Sequence, residues 1–240
     1  MRRRGCDYPE NPLRPVLLRL RQLPKMRFCQ LDQAEVILRM KVKGIYIAFE
    51  GVVGCGKTTQ SKILAEKFGA VWTKEPGGDE ISNEIRRVVQ VMKFETEMDA
   101  VCEQYLYAAS RAQTLRKVIK PVLDAGGIVV ADRSVFTSMA YQGFGRNLGI
   151  DRVLKINKEA VEGIWPDLVI WLDTDLDTAL SRTRDASGDK FESMDKKFFQ
   201  KVRKGYLKEM KKYPKLVKKV DGNGTIDVVE KRVWKVVQQR

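Results

Sequence analysis

A glycine-rich loop is the part of the sequence whose spacing points most directly to chemistry. It reads Gly51-x-x-x-x-Gly56-Lys57-Thr58, with a short apolar run before it and a helical pattern after it. Glycines let several backbone N–H groups converge on one anion, and such loops hold phosphate groups in this way. Lys57 would reach the β- and γ-phosphates, and the Thr58 hydroxyl would bind Mg²⁺. The predicted ATP site comprises Gly51, Val52, Val53, Gly54, Cys55, Gly56, Lys57, Thr58 and Thr59.

The composition excludes several classes of catalytic site. The 240 residues include no histidine, and the four cysteines form no Cys-x-x-Cys pair. Cys/His zinc sites and histidine-dependent nucleophiles are therefore excluded. Phosphoryl transfer needs neither, because positioning, cations and carboxylates perform it. No apolar run approaches the roughly 18 residues of a membrane-spanning helix, so we expect a cytoplasmic protein without membrane contact.

The formal net charge of +14 has two interpretations. Basic surfaces attract nucleic acid, but they also surround sites that take polyanionic small molecules. No nucleic-acid-binding motif accompanies the charge, and much of the excess lies at helical spacing in residues 190–219. We favour a Lys-rich surface around a nucleotide site and treat nucleic acid as an unlikely partner.

The order of the elements indicates how the loop is positioned. Apolar runs without two-residue alternation alternate with helical patterns, which predicts an α/β fold with a parallel sheet of about five strands and helices on both faces. Ligands of such sheets bind beyond the carboxyl ends of the strands. Residues 1–40 are rich in arginine and lack a clear strand, so we predict a poorly packed basic extension before a single domain at 41–240. The predicted strands are 44–50, 70–73, 128–131, 168–172 and 216–220.

Four ordered segments carry a resemblance to the thymidylate kinase family. The match extends from about residue 45 to the last helix and leaves the N-terminal extension outside. The resemblance implies the fold of the nucleoside monophosphate kinases, which is of the P-loop NTPase type. It also implies a homodimer that transfers phosphate from Mg-ATP to dTMP, giving dTDP and ADP in dTTP synthesis. The segments are Phe49-Glu50-Gly51 with Lys57 to Gln60 and Lys74 to Gly78, Tyr107 to Arg111, Asp132-Arg133-Ser134 to Gly143, and Pro166 to Asp173.

The same resemblance implies an acceptor site. In the family, an aromatic ring at the Tyr107 position stacks on thymine, and the arginine one helical turn later, Arg111, bonds the base. Arginines at 86 and 133 would hold the acceptor phosphate through their forked guanidinium groups. Tyr141 would pack under the sugar and disfavour a 2′-hydroxyl. The implied set is Glu75, Pro76, Arg86, Tyr107, Arg111, Arg133, Ser138, Tyr141 and Gln142.

The catalytic cations are predicted at two places. Lys57 is part of the glycine loop, and Arg133 lies just after the predicted strand at 128–131. The loop itself offers no arginine among Val52, Val53 and Cys55. The polar segment 182–192 has the composition of a mobile lid, and Arg182 and Arg184 would supply the missing charge. A solvated charged loop is the alternative. Asp132 would order Mg²⁺ through water or cap the following helix, and the sequence leaves these two roles open.

Two departures from the family pattern bear on the acceptor. Val53 stands where relatives usually carry a carboxylate that accepts a bond from the 3′-hydroxyl, and Lys74 replaces a common arginine. A related kinase for another nucleotide or a deoxynucleoside is therefore a second hypothesis. A nucleotide-dependent nucleic-acid-binding protein is a third, suggested by the charge.

Overall fold

Five parallel strands form one sheet within the residues that the structure describes. The structure is a computed structural model, and it describes residues 44–183, Phe191 and residues 194–239. The strand order is β2-β3-β1-β4-β5, which confirms the predicted parallel sheet. The predicted N-terminal extension lies outside the described residues. The strands are β1 (Ile45–Glu50), β2 (Val71–Lys74), β3 (Ile128–Asp132), β4 (Leu168–Asp173) and β5 (Val217–Asp221).

Helices connect the strands and cover both faces of the sheet. Every residue of β3 and β4 is buried, as in parallel sheets that are covered on both faces. None of the helices in the described part of the chain is long and apolar enough to cross a membrane. The helices are α1 (Lys57–Phe68), α2 (Glu80–Arg86), α3 (Ala100–Thr114), α4 (Lys120–Asp124), α5 (Val135–Ser138), α6 (Ile150–Val161), α7 (Leu176–Ser181), α8 (Lys196–Lys212) and α9 (Ile226–Gln238).

Three stretches of the described residues are π-helical. Arg87–Val91 follows α2, Leu115–Ile119 joins α3 to α4, and Met139–Gly145 continues α5. π-Helical turns are uncommon in proteins as a whole, but those that occur are often found at functional sites. Periodicity alone could not reveal them, because a single π turn leaves most of the apolar spacing intact.

The register of the sheet brings three strand ends together. Phe49 at the end of β1 is paired with Asp132 of β3, which in turn is paired with Lys74 of β2. The segments that follow these strands therefore begin side by side at the carboxyl edge, where α/β sheets bind ligands. The phosphate loop, Glu75 and Arg133 all start from this edge.

Candidate active site

The phosphate loop needs its glycines for steric and conformational reasons. Gly51, Gly54 and Gly56 have φ of 146°, 70° and 94°, values that disfavour side chains. A Cβ on Gly54 would lie 2.0 Å from the carbonyl oxygen of Ala179. The loop folds directly from β1 into α1, a geometry in which backbone N–H groups commonly bind phosphate.

The donor cleft has a volume of about 500 Å³. Residues 54–60 form one side, and the turn after β5 with the start of α9 forms the other. Arg182 also lines it, and its Nη1 donates to the carbonyl oxygen of Gly54 at 3.4 Å. Arg182 thus contacts the phosphate loop, and its role as the charge-supplying arginine stays a prediction, whereas Arg184 lies outside the described residues.

Lys57 is buried under the loop. Its Nζ donates to the Val52 carbonyl oxygen at 2.7 Å and lies 3.6 Å from Cys55 Sγ. Burial lowers the pKa of Lys57, and the nearby Arg133 guanidinium lowers it further. A phosphate group bound in the loop would offset the repulsion between Lys57 and Arg133, because its negative charge would attract both cations.

Thr58 and Asp132 provide oxygen atoms suited to a divalent cation. The Thr58 hydroxyl donates to Asp132 Oδ2, and Asp132 Oδ1 is buried without a partner among the described residues. The capping role considered for Asp132 is wrong, because the Ser134 side chain caps α5 by accepting from the backbone N–H of Phe136. The described residues contain no group of three or more His, Cys, Asp or Glu side chains placed to hold a metal ion.

Arg133 adopts an unusual backbone conformation at the end of β3. Its φ is 80°, in the left-handed region that non-glycine residues rarely occupy. Its N–H donates to the Phe49 carbonyl oxygen at 2.9 Å. Its guanidinium lies 5.0 Å from the centre of the Tyr141 ring, and Nη1 donates to the Gly51 carbonyl oxygen at 3.4 Å. Arg133 therefore lies between the phosphate loop and the acceptor side.

Glu50 holds the residues around Arg133 in place. This fully buried carboxylate accepts from both the N–H and the hydroxyl of Ser134, at 2.8 and 2.7 Å. It also accepts from Thr137 at 2.5 Å and from the Tyr206 hydroxyl at 2.8 Å. Burial raises the pKa of Glu50, and these hydrogen bonds oppose that shift. These hydrogen bonds hold in place the residues that follow the strained backbone of Arg133.

Seven of the nine predicted acceptor residues line one small pocket. Its free volume is only about 10 Å³, roughly the space of one water molecule. Phe191 fills much of it, since its ring centre lies 5.1 Å from that of Tyr141 and 6.4 Å from that of Tyr107. The pocket is lined by Glu75, Pro76, Gln90, Tyr107, Arg111, Arg133, Thr137, Tyr141, Gln142 and Phe191.

Arg111 is anchored by protein groups on several sides. It is 3% exposed, and its Nε donates to Glu75 Oε2 at 2.7 Å. Nη1 donates to Ser138 at 3.1 Å and to Asn157 at 2.5 Å, and Nη2 donates to the Ser134 carbonyl oxygen at 3.2 Å. Four of its five N–H groups are thus used, which fixes the guanidinium rigidly at the pocket wall.

Arg86 and Ser138 are not among the residues that line this pocket, whereas Gln142 is. Arg86 donates from Nη1 to the Pro76 carbonyl oxygen at 3.2 Å, so it lies beside the turn after β2. Gln142 donates from Nε2 to Glu103 at 2.8 Å, and its Oε1 has no partner among the described residues. Ser138 faces Arg111. Their contacts with a bound nucleotide stay predictions.

Sequence reasoning assigned no role to several residues that the structure places here. Glu50 and Asn157 support the arginines, while Gln90 and Phe191 line the pocket. Glu50 was detectable as a carboxylate at the end of an apolar strand. The others carried no signal, because Gln90, Asn157 and Phe191 come from separate segments whose approach depends on the fold.

Comparisons with known proteins agree on one family. The sequence model described as thymidylate kinase matches residues 49–233. A thymidylate kinase of Caldanaerobacter subterraneus subsp. tengcongensis is 36% identical over 203 residues, covering 82% of this chain and 97% of that protein. One from Geobacillus sp. (strain WCH70) is 41% identical over 196 residues, covering 78% and 93%. The crystal structure of thymidylate kinase from Ehrlichia chaffeensis has a TM-score of 0.67 at 27% identity, covering 81% of this chain and 99% of that one.

Proposed function

The chain belongs to the thymidylate kinase family, and on this premise we propose that it transfers the γ-phosphoryl group of ATP to dTMP, giving dTDP and ADP. The observation that carries the proposal is the position of Arg133. Its guanidinium contacts the phosphate loop at Gly51 and the Tyr141 ring of the acceptor pocket. A cation at this junction can stabilise the phosphoryl group in transit.

The donor phosphates bind to the glycine loop and Lys57. Loop N–H groups fix the phosphate chain, and Lys57 exchanges its bond to the Val52 carbonyl oxygen for phosphate oxygens. Thr58 and Asp132 would hold Mg²⁺, which would neutralise phosphate charge. Arg182 lines the same cleft beside Gly54 and adds positive charge over the reacting group. We assign Arg184 the same role as a prediction.

The acceptor base lies against Tyr107, with Arg111 and Gln142 at its edge. Arg111 keeps one N–H for a base carbonyl, and Gln142 Oε1 can accept from the base N3–H. Arg86 and Arg133 hold the acceptor phosphate. Because the pocket has little free volume, Phe191 must shift when the base enters. Binding of the acceptor is therefore coupled to a side-chain movement.

A panel of nucleoside monophosphates tests the reaction. Steady-state ATP consumption with dTMP, dUMP, dCMP, dGMP and AMP should give the highest kcat/KM for dTMP. A preference for another nucleotide would favour the second kinase hypothesis, motivated by Val53. Salt-dependent DNA binding without turnover of any monophosphate would support the nucleic-acid hypothesis, which no described motif favours.

We propose a homodimer that forms through α2 and α3. Large apolar side chains are exposed on and just after these two packed helices, and isolated monomers rarely expose such clusters. Sedimentation at micromolar concentration should give twice the chain mass, and Phe94→Asp combined with Tyr105→Lys should give the monomer. The cytoplasmic location stays a prediction. The exposed residues are Ile81, Val91, Met92, Phe94 and Tyr105.

A further inference from the structure

The acceptor pocket contains a glutamine whose amide is only half used. Gln90, in the π-helical turn after α2, is 5% exposed and lines the pocket beside Tyr107. Its Nε2 donates to the Tyr107 hydroxyl at 3.1 Å. Its Oε1 is buried and has no hydrogen-bond partner among the residues that the structure describes. A buried acceptor without a partner is destabilising, so a ligand that supplies a donor here gains affinity.

Counting donors and acceptors shows that dTMP leaves one acceptor over. Three lining residues each have a buried side-chain oxygen without a partner among the described residues, namely Glu75, Gln90 and Gln142. Thymidine offers only two donors, N3–H on the base and the 3′-hydroxyl on the sugar. Gln142 is the residue assigned to N3–H, and the Glu75 carboxylate already accepts from Arg111 Nε at 2.7 Å and is paired with its charge. The oxygen of Gln90 remains.

We propose that Gln90 is a specificity-determining residue and that the enzyme also phosphorylates 2′-deoxyuridine monophosphates whose 5-substituent carries a hydrogen-bond donor, such as 5-hydroxymethyl-dUMP. This inference rests on the proposed function. The edge of a thymine ring presents O2, N3–H, O4 and the 5-methyl group in order. With N3–H and O4 taken by Gln142 and Arg111, only the 5-substituent can bring a new donor. A hydroxymethyl group there would donate to Gln90 Oε1.

Tyr107 acts on Gln90 as a positioning residue as well as a stacking surface. Family members usually carry phenylalanine at this position, which has no hydroxyl to bind an amide. Here the hydroxyl accepts from Gln90 Nε2, and this bond keeps the Gln90 oxygen at the pocket wall. Gln90 and the Tyr107 hydroxyl together make this end of the base pocket polar.

The test is the ratio of kcat/KM for 5-hydroxymethyl-dUMP to kcat/KM for dTMP, measured on the full-length chain. In the wild type we expect this ratio to lie within about tenfold of unity. Gln90→Leu replaces the amide with an apolar group of similar size and should lower the ratio by about tenfold or more, because it leaves the hydroxyl without a partner. Tyr107→Phe should lower the ratio by a smaller factor, since Gln90 is kept but no longer held.

Gln104→Leu is the matched control. Gln104 is another fully buried glutamine on α3, both of its amide atoms are without partners among the described residues, and it does not line the pocket. Its ratio should equal that of the wild type. The proposal is overturned if the wild type uses dTMP but rejects 5-hydroxymethyl-dUMP by more than about a hundredfold, or if Gln90→Leu keeps the wild-type ratio. Turnover of neither nucleotide would overturn the proposed function, and this inference with it.

Discussion

The donor cleft and the acceptor pocket are built in opposite ways. The cleft is open, with about 500 Å³ of volume, and residues 54–60 of one continuous segment form much of its lining. The pocket has about 10 Å³ of free volume, and its polar groups are side chains from several distant segments. The cleft therefore already has free space for a ligand, whereas on the proposed function the pocket must rearrange before a base can enter. On the same proposal, the reaction type depends on the first region and substrate choice on the second.

Arg133 connects the two regions, so its loss should have the largest effect. We expect Arg133→Ala to lower kcat about a thousandfold or more, as for other arginines that stabilise a transferring phosphoryl group. ATP binding should change little, because Lys57 and the loop remain. Steady-state kinetics and titration calorimetry measure the two quantities.

Arg116→Ala is the control for Arg133, since Arg116 pairs with Glu162 on the exposed surface. It should leave both kcat and ATP affinity near wild-type values. Persistence of activity in Arg133→Ala would show that the two regions are joined by another group.

Glu50 holds the residues around Arg133 in place, so its removal should affect both the stability of the protein and its turnover. Glu50→Ala leaves donors of Ser134, Thr137 and Tyr206 without their shared acceptor. We expect a loss of about 3 kcal/mol in the free energy of unfolding and a fall in kcat of roughly a hundredfold as Arg133 loses its position. Urea unfolding and steady-state assays measure these.

Glu50→Gln should recover part of both losses, because the amide oxygen can still accept from Ser134. A variant that loses stability but keeps kcat would mean that Glu50 does not position Arg133.

Val53 lies in the donor loop at a place where relatives contact the acceptor sugar. Val53→Asp would restore a carboxylate, and we expect the KM for dTMP to fall by about fivefold to tenfold through one charge-assisted hydrogen bond. The KM for 3′-deoxy-dTMP, which has no 3′-hydroxyl, serves as the comparison and should not fall. An equal change for both nucleotides would argue against contact between residue 53 and the sugar.

Glu209 is expected to give the smallest effect. It is a buried carboxyl of α8 whose two oxygens both lack partners among the described residues. Burial raises the pKa of Glu209 well above its ordinary value, and repulsion from Glu50 adds to the shift. The folded protein therefore binds this proton more tightly than the unfolded chain. Stability from this group is complete below the ordinary carboxyl pKa and is lost as pH rises through the folded pKa.

Glu209→Gln removes the ionisable group while keeping its shape. The variant should be more stable than the wild type by about 1 kcal/mol at neutral pH. The difference should shrink as the pH falls towards the ordinary carboxyl pKa of 4.5, where Glu209 becomes protonated in the unfolded chain as well. Thermal unfolding over a pH series measures this. A gap that stays constant with pH would show that Glu209 is not ionising in this range.

The parts of the site whose backbone geometry the sequence indicates are those with a local cause. The loop from Gly51 to Thr58 needs only its own glycines and the strand and helix beside it, and residue spacing records all of these. The order of strands and helices likewise follows from short apolar runs, and the predicted strands agree with the observed ones to within a residue or two. The resemblance then added the acceptor residues.

The sequence by itself thus determined the fold class, the phosphate loop and the family, because each depends on neighbouring residues or on ordered motifs. The tertiary structure decided the rest. It placed Glu50 under Arg133, gave Arg111 its partners from three other segments, and brought Gln90 to the Tyr107 hydroxyl. These contacts join residues that are far apart in the chain, and hydrogen-bond partners of that kind are chosen by the packing of helices on the sheet rather than by local spacing.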